Sequence, residues 1–442
     1  MVLRKQPFLT NTINKKEKQP KNKLTFDSRI DYALILPAFL LTVIGLYAIW
    51  VAVSHDYPTQ AVKMVGQQGT WIIVGVILAL IVMHMDSRLL WNLTPVLYGF
   101  GLILMVLPIF FYSPSMYELT GAKNWVAFHN TNLFQPSELM KIAYILFLAR
   151  IVVSFQNKLK KRYLKDDFIL IGQIGLATVP IAILAALQKD FGTFMVFLVI
   201  AAGIILVSGV SWKIILPVLL IAILVAVGVV AMVMNPKGQE LLGTVFSQYQ
   251  VNRFLAWLHP FEYTQTFSLQ QSRALIAIGV GGLFGHGFGV ANVNVPVRES
   301  DMIFTVIGED FGFVGATFVI LLYFILIYRM IRVTFQSNNQ FYIFISTGII
   351  MMILFHVFEN IGAAIGLVPL TGIPLPFISQ GGSALISNII GLGLVLSMKY
   401  NQLPEFVLVR EAGRKKLEHK RARLSRSSYK RVKPKGRRRI SK

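Results

Sequence analysis

An all-α polytopic membrane protein of about ten transmembrane helices is the fold class this sequence predicts. Of its 442 residues, 55% are hydrophobic and only 14% are charged, and the mean hydropathy is +0.62. A soluble domain carries roughly a quarter charged residues to keep its surface wet. The apolar runs are long and unbroken, unlike the ~10-residue alternating strands of an outer-membrane barrel. Basic residues recur at alternate connections, as the positive-inside rule requires of a multi-span chain. A soluble enzyme, a disulfide scaffold and a disordered chain are excluded. Cysteine is absent, so disulfides, thiolate nucleophiles and Cys-based metal sites are excluded too.

The elements follow in order. Residues 1–31 form a basic tail with 8 Lys/Arg against 3 Asp/Glu. Thirty polar residues before the first apolar run, and no small-residue cleavage site after it, argue against a cleaved signal peptide. About 20 mostly apolar residues make one span. On that measure the spans are 32–53, 66–85, 89–112, 136–154, 168–187, 191–208, 214–234, 303–330, 341–365 and 382–400. Glu309 and Asp310 interrupt the start of the eighth. Residues 401–442 form a second basic tail, with 16 Lys/Arg against 3 Asp/Glu. The two tails supply +18 of the net charge of +23. Beside a membrane, such a tail is expected to meet anionic lipid heads rather than nucleic acid.

Lys158, Lys160, Lys161, Arg162 and Lys165 crowd the connection at 155–167, and Arg329 and Arg332 flank the end of span eight. Opposite connections are poor in Lys and Arg. Both termini are therefore expected to be cytoplasmic. The expected organisation is a tail (1–31), a ten-span domain (32–400) with a long outer loop (235–302), and a second tail (401–442). The loop holds Trp257, Arg253, Arg273, Arg298 and the glycine-rich stretch GVGGLFGHGFG at 279–289. That stretch lacks the preceding strand and following helix of a phosphate-binding loop, so a nucleotide site is rejected.

Ionisable groups in the apolar layer default to functional candidates. Glu138 and Lys141 lie at spacing i, i+3 at the start of span four, close enough to pair on one helix face; a structural ion pair and a cavity lining are both open. Asp190 sits in the short hairpin between spans five and six, where turn capping is the plain alternative. Asp301 lies where the long loop meets span eight, with an N-cap role as its alternative. Glu309 would lie about 12 Å deeper along a helix. Glu359 lies near the outer end of span nine, and 366–388, rich in Pro, Gly and Ser and including Ser379 and Ser383, suits a re-entrant loop or cavity wall, with a plain connector as the alternative. His84, His259, His286 and His356 have no metal-ligand spacing and read as structural. On these residues alone, a transporter, a lipid flippase and a membrane glycosyltransferase remain open, with the loop arginines suited to an anionic substrate.

Seven segments resolve this. They are GAKNWVAF (121–128), FQPSELMK (134–141), QKDFGT (188–193), NRFLAWLHP (252–260), QQSRALIAIGVGGLFGHGFG (270–289), VPVRESDMIFTVIGEDFGFVG (295–315) and ENIGAAIGLVPLTGIPLPFISQGGSALISN (359–388). In this order they resemble the SEDS family (shape, elongation, division and sporulation) over roughly 30–400, and its RodA branch more than its FtsW division branch. The resemblance implies a peptidoglycan glycosyltransferase of the bacterial plasma membrane that polymerises lipid II on the outer face. It implies a class B penicillin-binding protein as partner and undecaprenyl diphosphate as leaving group. The family's essential aspartate matches Asp301, its polar-cavity pair Glu138 and Lys141, and its hairpin aspartate Asp190. Arg253, Trp257 and Pro260 match the start of its large loop.

The chain departs from the family at Lys189 for proline, Gln380 for tyrosine, Met302 for phenylalanine, and Val297, where many members carry glutamate and Glu299 stands close by. The expected roles are Asp301 as general base, with Glu138, Lys141, Asp190, Arg253, Trp257, Arg273, Arg298, Glu309, Glu359, Ser379 and Ser383 binding substrate. Lys141, Arg253, Arg273 and Arg298 are the cations expected to meet the diphosphate. No cofactor is firmly implied; a divalent cation, Mg or Mn, held by acidic groups and diphosphate is the one expectation. A lipid II flippase is the alternative activity, and a non-catalytic scaffold the third reading.

Overall fold

The computed structural model describes residues 29–401, except 115–116, 119–120, 129–130, 160, 246, 291–292 and 338. The expectations for the two basic tails therefore fall almost wholly outside the described residues. All ten expected spans are helices: α1 (Tyr32–Asp56), α2 (Ala61–Met83), α3 (Ser87–Phe110), α4 (Pro136–Lys158), α5 (Leu164–Gln188), α6 (Phe191–Val207), α7 (Trp212–Val233), α11 (Ile303–Gln336), α12 (Gln340–Ala364) and α13 (Gly382–Tyr400). The long loop adds α8 (Pro236–Val245), α9 (Gln248–Leu258) and α10 (Leu269–Val280). A two-stranded antiparallel hairpin, β1 (Val126–Phe128) and β2 (Thr131–Phe134), precedes α4.

Eight of these helices are long and apolar enough to cross a membrane, so the chain is a multi-pass membrane protein. The two expected spans outside that set are informative. The α6 helix is apolar throughout but only 17 residues long. The α4 helix is long enough, but Glu138, Lys141 and Arg150 lower its hydropathy. Most of its residues are instead buried in protein, a setting where intramembrane charge is tolerated.

Local chemistry sets the helix starts. Asp31 caps α1 by accepting from Leu34 N at 3.0 Å, Asp86 caps α3 through Leu89 N at 2.8 Å, and Ser247 with Gln250 forms a capping box on α9. Pro136 occupies the first turn of α4, where its missing N–H costs nothing. The core is built around α4, α12 and α13, with α2 packed along α13, α3 along α4, α6 along α12, and α1 along α11. The α7 helix differs: it packs on α8 and α9 and is almost wholly exposed along its apolar length.

Two faces result. One carries the long loop, the β-hairpin, the α5–α6 turn and the segment 365–381; it is called here the long-loop face. On the other, Asp31 accepts from Arg329 at 2.9 Å and Lys399 at 3.2 Å, tying the start of α1 to α11 and α13.

The α11 helix is broken at Gly312, whose φ of 61° and ψ of −157° are open only to glycine. The glycine-rich stretch after α10 fills the break. His286 N and Gly287 N donate to the carbonyls of Glu309 and Asp310, while Phe313 N and Val314 N donate to those of Gly282 and Leu283, all at 2.9–3.1 Å. Backbone groups that the break would leave unpaired in an apolar layer are thus satisfied. Buried Asp310 holds the stretch down, accepting from Tyr47 Oη at 2.6 Å, Gly289 N at 2.9 Å and Val290 N at 3.2 Å.

Candidate active site

Asp301 stands two residues before α11. The N-cap position is taken by Met302, which makes no side-chain cap bond, so the capping alternative is not realised. The Asp301 carboxylate accepts from Ser300 Oγ at 2.8 Å. Its main chain is held more firmly than its side chain. Asn360 Nδ2 donates to Asp301 O at 2.8 Å, and Asp301 N donates to Val297 O at 3.2 Å. Ser379 Oγ donates to Ser300 O at 2.6 Å, and Gln380 N donates to Glu299 O at 2.9 Å. Val297 adopts φ 54°, uncommon for a β-branched residue. Such strain costs on the order of 1–3 kcal/mol and persists only where surrounding bonds enforce it.

Glu359 approaches the same place from α12. Its Oε1 accepts from Thr371 N at 2.8 Å and from Thr371 Oγ1. Gly372, at φ 83°, lets the 365–381 backbone run against the carboxylate: a Cβ there would lie 3.4 Å from Asp301 Oδ2. Arg253 comes from α9, stacked 4.9 Å over the Tyr249 ring and bonded to Tyr249 Oη, with Gln270 Oε1 at 3.4 Å. Its charge acts on both Asp301 and Glu359. Desolvation pushes the Asp301 carboxyl above its ordinary value, outweighing the Ser300 hydrogen bond and the Arg253 charge, which oppose the shift. Burial likewise raises neighbouring Glu299.

A second cluster surrounds Asp190. It caps α6 by accepting from Thr193 N at 3.1 Å, and it also accepts from Asn124 Nδ2 at 2.8 Å, Thr193 Oγ1 at 2.8 Å and Gln135 Nε2 at 3.3 Å. The capping reading is thus realised, inside a larger network. Ser383 Oγ accepts from Gln135 N at 3.0 Å, joining α13 to the start of α4. Deeper lie Glu138 and Lys141, both buried and paired at 2.9 Å as their spacing implied. Lys141 Nζ also reaches His356 Nε2 at 3.0 Å.

Of the expected site residues, Asp301, Glu359, Arg253 and Ser379 come together. Asp190 and Ser383 share the second cluster through Gln135, and Glu138 pairs with Lys141. Others are placed elsewhere. Arg298 is buried and forms a two-pronged pair with Asp56 at 2.8 and 3.0 Å, and it donates to Val293 O at 3.0 Å. Its guanidinium is bound to the end of α1 rather than presented to a diphosphate. Glu309 is buried and accepts from Val293 N at 3.0 Å, anchoring the loop. Trp257 donates to Gly366 O at 2.9 Å, fixing α9 against the 365–381 segment. Arg273 donates to Asn294 O at 2.7 Å. Lys141, held between Glu138 and His356, is likewise no open cation.

Among the described residues, no group of three His, Asp or Glu is arranged to hold a metal ion. No step is therefore assigned to a divalent cation. Asn360, Gln135, Asn124 and His356 were not among the expected site residues. Asn360, Gln135 and Asn124 lay inside the motif segments; His356 carried no sequence signal.

The chain matches the family model described as cell cycle protein, FtsW, RodA and SpoVE, over residues 31–403. It is 30% identical over 378 residues to stage V sporulation protein E of Bacillus subtilis, covering 83% of this chain and 96% of that one. It is also 30% identical over 384 residues to peptidoglycan glycosyltransferase MrdB of Escherichia coli, covering 85% and 96%. A solved peptidoglycan synthase complex that coordinates polymerization and crosslinking contains a chain with a TM-score of 0.67 at 25% identity, covering 84% of this chain and 99% of that one. RodA of Thermus thermophilus superposes with a TM-score of 0.58 at 26% identity, covering 85% and 98%. Relatives named for sporulation and for FtsW match alike, so the branches are not separated. The chain belongs to the FtsW/RodA/SpoVE family.

Proposed function

We propose that this protein is a peptidoglycan glycosyltransferase that polymerises lipid II, with Asp301 as general base, in the elongation role of the RodA branch. The observation that carries this is the placement of Asp301. Its main chain is clamped from α12 and from the 365–381 segment, while its carboxylate is left with one neutral donor and a raised affinity for protons. A base needs that combination of fixed position and elevated pKa.

The acceptor sugar's 4-hydroxyl attacks the anomeric carbon of the donor in line. The C–O bond to the diphosphate breaks as the new bond forms, and the configuration inverts from α to β. The hydroxyl proton passes to Asp301, and the electron pair leaves with the diphosphate. General-base help is typically worth about 10²–10⁴-fold. Developing charge on the leaving group needs cations; Arg253, whose charge acts on Asp301 and Glu359, is the candidate for it. Tyr249 and Gln270 orient Arg253, and the Asp190 cluster shapes the neighbouring wall.

The long-loop face is the outer face, and both termini are cytoplasmic, in line with the basic connections on the opposite side. The partner is a class B penicillin-binding protein, in keeping with the synthase complex that the chain resembles. The full chain and its partner, placed in vesicles with labelled lipid II, test the activity. Polymer on a glycan gel, with moenomycin present to silence class A enzymes, is the expected result. Movement of lipid II between leaflets without polymer would favour the flippase reading instead.

A further inference from the structure

His356 lies on α12, one turn from Glu359, and is fully buried. Its Nε2 is 3.0 Å from the Lys141 ammonium. An ammonium offers donors and no lone pair, so Nε2 must be the acceptor. The ring is then neutral, with its proton on Nδ1. Among the described residues, that Nδ1 has no hydrogen-bond partner. Nor does Oε2 of Glu359, whose other oxygen is held by Thr371. One atom is a buried donor and the other a buried acceptor. Their i, i+3 spacing puts them on one helix face, with Cβ atoms about 5–6 Å apart. Leaving such groups unmade costs about 1–3 kcal/mol each, and water is scarce in the apolar layer.

We propose that His356 is the positioning residue for Lys141, and that one bound water joins its Nδ1–H to the open oxygen of Glu359. A continuous polar thread then runs from Asp301 and Glu359, through the water and His356, to Lys141 and Glu138. It fixes the α4 ion pair to the α12 residue that faces the reacting centre. One helix, α12, carries both Glu359 and His356, so a shift of substrate at Glu359 is felt at Lys141 through His356. The catalytic half of this proposal rests on the glycosyltransferase reading. The structural half does not.

The test has two arms on the full-length protein. The first is ¹⁵N NMR of histidine-labelled protein in nanodiscs, with His356→Asn to identify the signal. It requires no turnover, so it stands even if the proposed activity fails. The expected spectrum near neutral pH shows a neutral His356 with its proton on Nδ1. A proton on Nε2, or a charged ring, overturns the proposal. The second arm compares His356→Leu with His356→Gln, whose amide can both accept from Lys141 and donate to the water. His356→Leu is expected to lower kcat about tenfold, with KM within about twofold of wild type, through displacement of Lys141. His356→Gln is expected to recover most of that loss. Wild-type kcat in His356→Leu, or equal loss in both variants with folding intact, overturns it. Should His356→Leu fail to fold, His356→Gln against wild type decides: a kcat about tenfold below wild type overturns the proposal, and near-wild-type kcat supports it.

Discussion

Asn360 binds the main chain of Asp301. Its Nδ2 donates to the Asp301 carbonyl at 2.8 Å and to the Ile373 carbonyl at 2.9 Å. One buried amide therefore sets the distance between the candidate base, α12 and the 365–381 segment. Asn360→Ala removes both bonds and leaves two carbonyls unpaired, at about 1–3 kcal/mol each. The expected outcome is a stably inserted protein with kcat reduced by about 10–100-fold, because an error of about 1 Å at the reacting group is enough. Initial polymerisation rates, with size-exclusion profiles as the folding control, check it. Wild-type kcat would show that the clamp does not position the base.

Arg298 illustrates a different outcome. As a lone cation in a loop it resembled a diphosphate ligand; in the fold it is bound to Asp56. Arg298→Gln should lower stability by about 3 kcal/mol, since it strands a partly buried carboxylate. KM for lipid II should stay near wild type below the melting point. Melting curves for Arg298→Gln, Asp56→Asn and the double variant form a cycle. The double variant should lose less than the two single losses added. Wild-type stability with a raised KM would return Arg298 to the substrate.

The opposite face gives a pH-dependent prediction. Burial raises the Asp31 carboxyl, but the hydrogen bonds and charges of Arg329 and Lys399 outweigh it, so the group sits below its ordinary value of 3.8. A carboxyl depressed in the folded state stabilises above its unfolded value, and that stability is lost as pH falls through the folded one. The melting-temperature gap between wild type and Asp31→Asn should therefore be constant from neutral pH to about pH 5. It should narrow at more acidic pH. A gap that persists unchanged at pH 2 would contradict the assignment.

Asp301 has the opposite sign. Its carboxyl is raised above 3.8 by desolvation. A base must be deprotonated to act, so activity falls as pH drops through the folded value. The acid limb of kcat/KM should lie above the ordinary aspartate range. Arg253→Gln removes a charge that opposes the shift, and so should move that limb to still higher pH. A limb that moves down, or does not move, would place Arg253 too far away to matter.

The helices were readable because ten apolar runs stand apart from charged connections, and nothing else in the chain competes with that pattern. The Glu138–Lys141 pair was readable because i, i+3 is a local rule. The tertiary partners were not. Asn360 and Asp301 lie 59 residues apart, and Arg298 and Asp56 lie 242 apart. No spacing rule connects them. His356 read as structural because an isolated histidine carries no pattern; only the approach of Lys141, 215 residues away, gives it a role. The broken α11 was half-visible. Glu309 and Asp310 marked an interruption, but the break itself depends on the glycine-rich stretch folding back into Gly312.

Removal of the acceptor's proton by Asp301 is tested most directly by one comparison. Single-turnover polymerisation of labelled lipid II is measured for wild type and Asp301→Asn, each with its penicillin-binding partner, at saturating substrate. Asparagine keeps the shape and the main-chain clamp but cannot take a proton. The expected rate for Asp301→Asn is lower by at least about 10²-fold, with lipid II affinity and melting temperature unchanged. A rate within about threefold of wild type would remove Asp301 as the base.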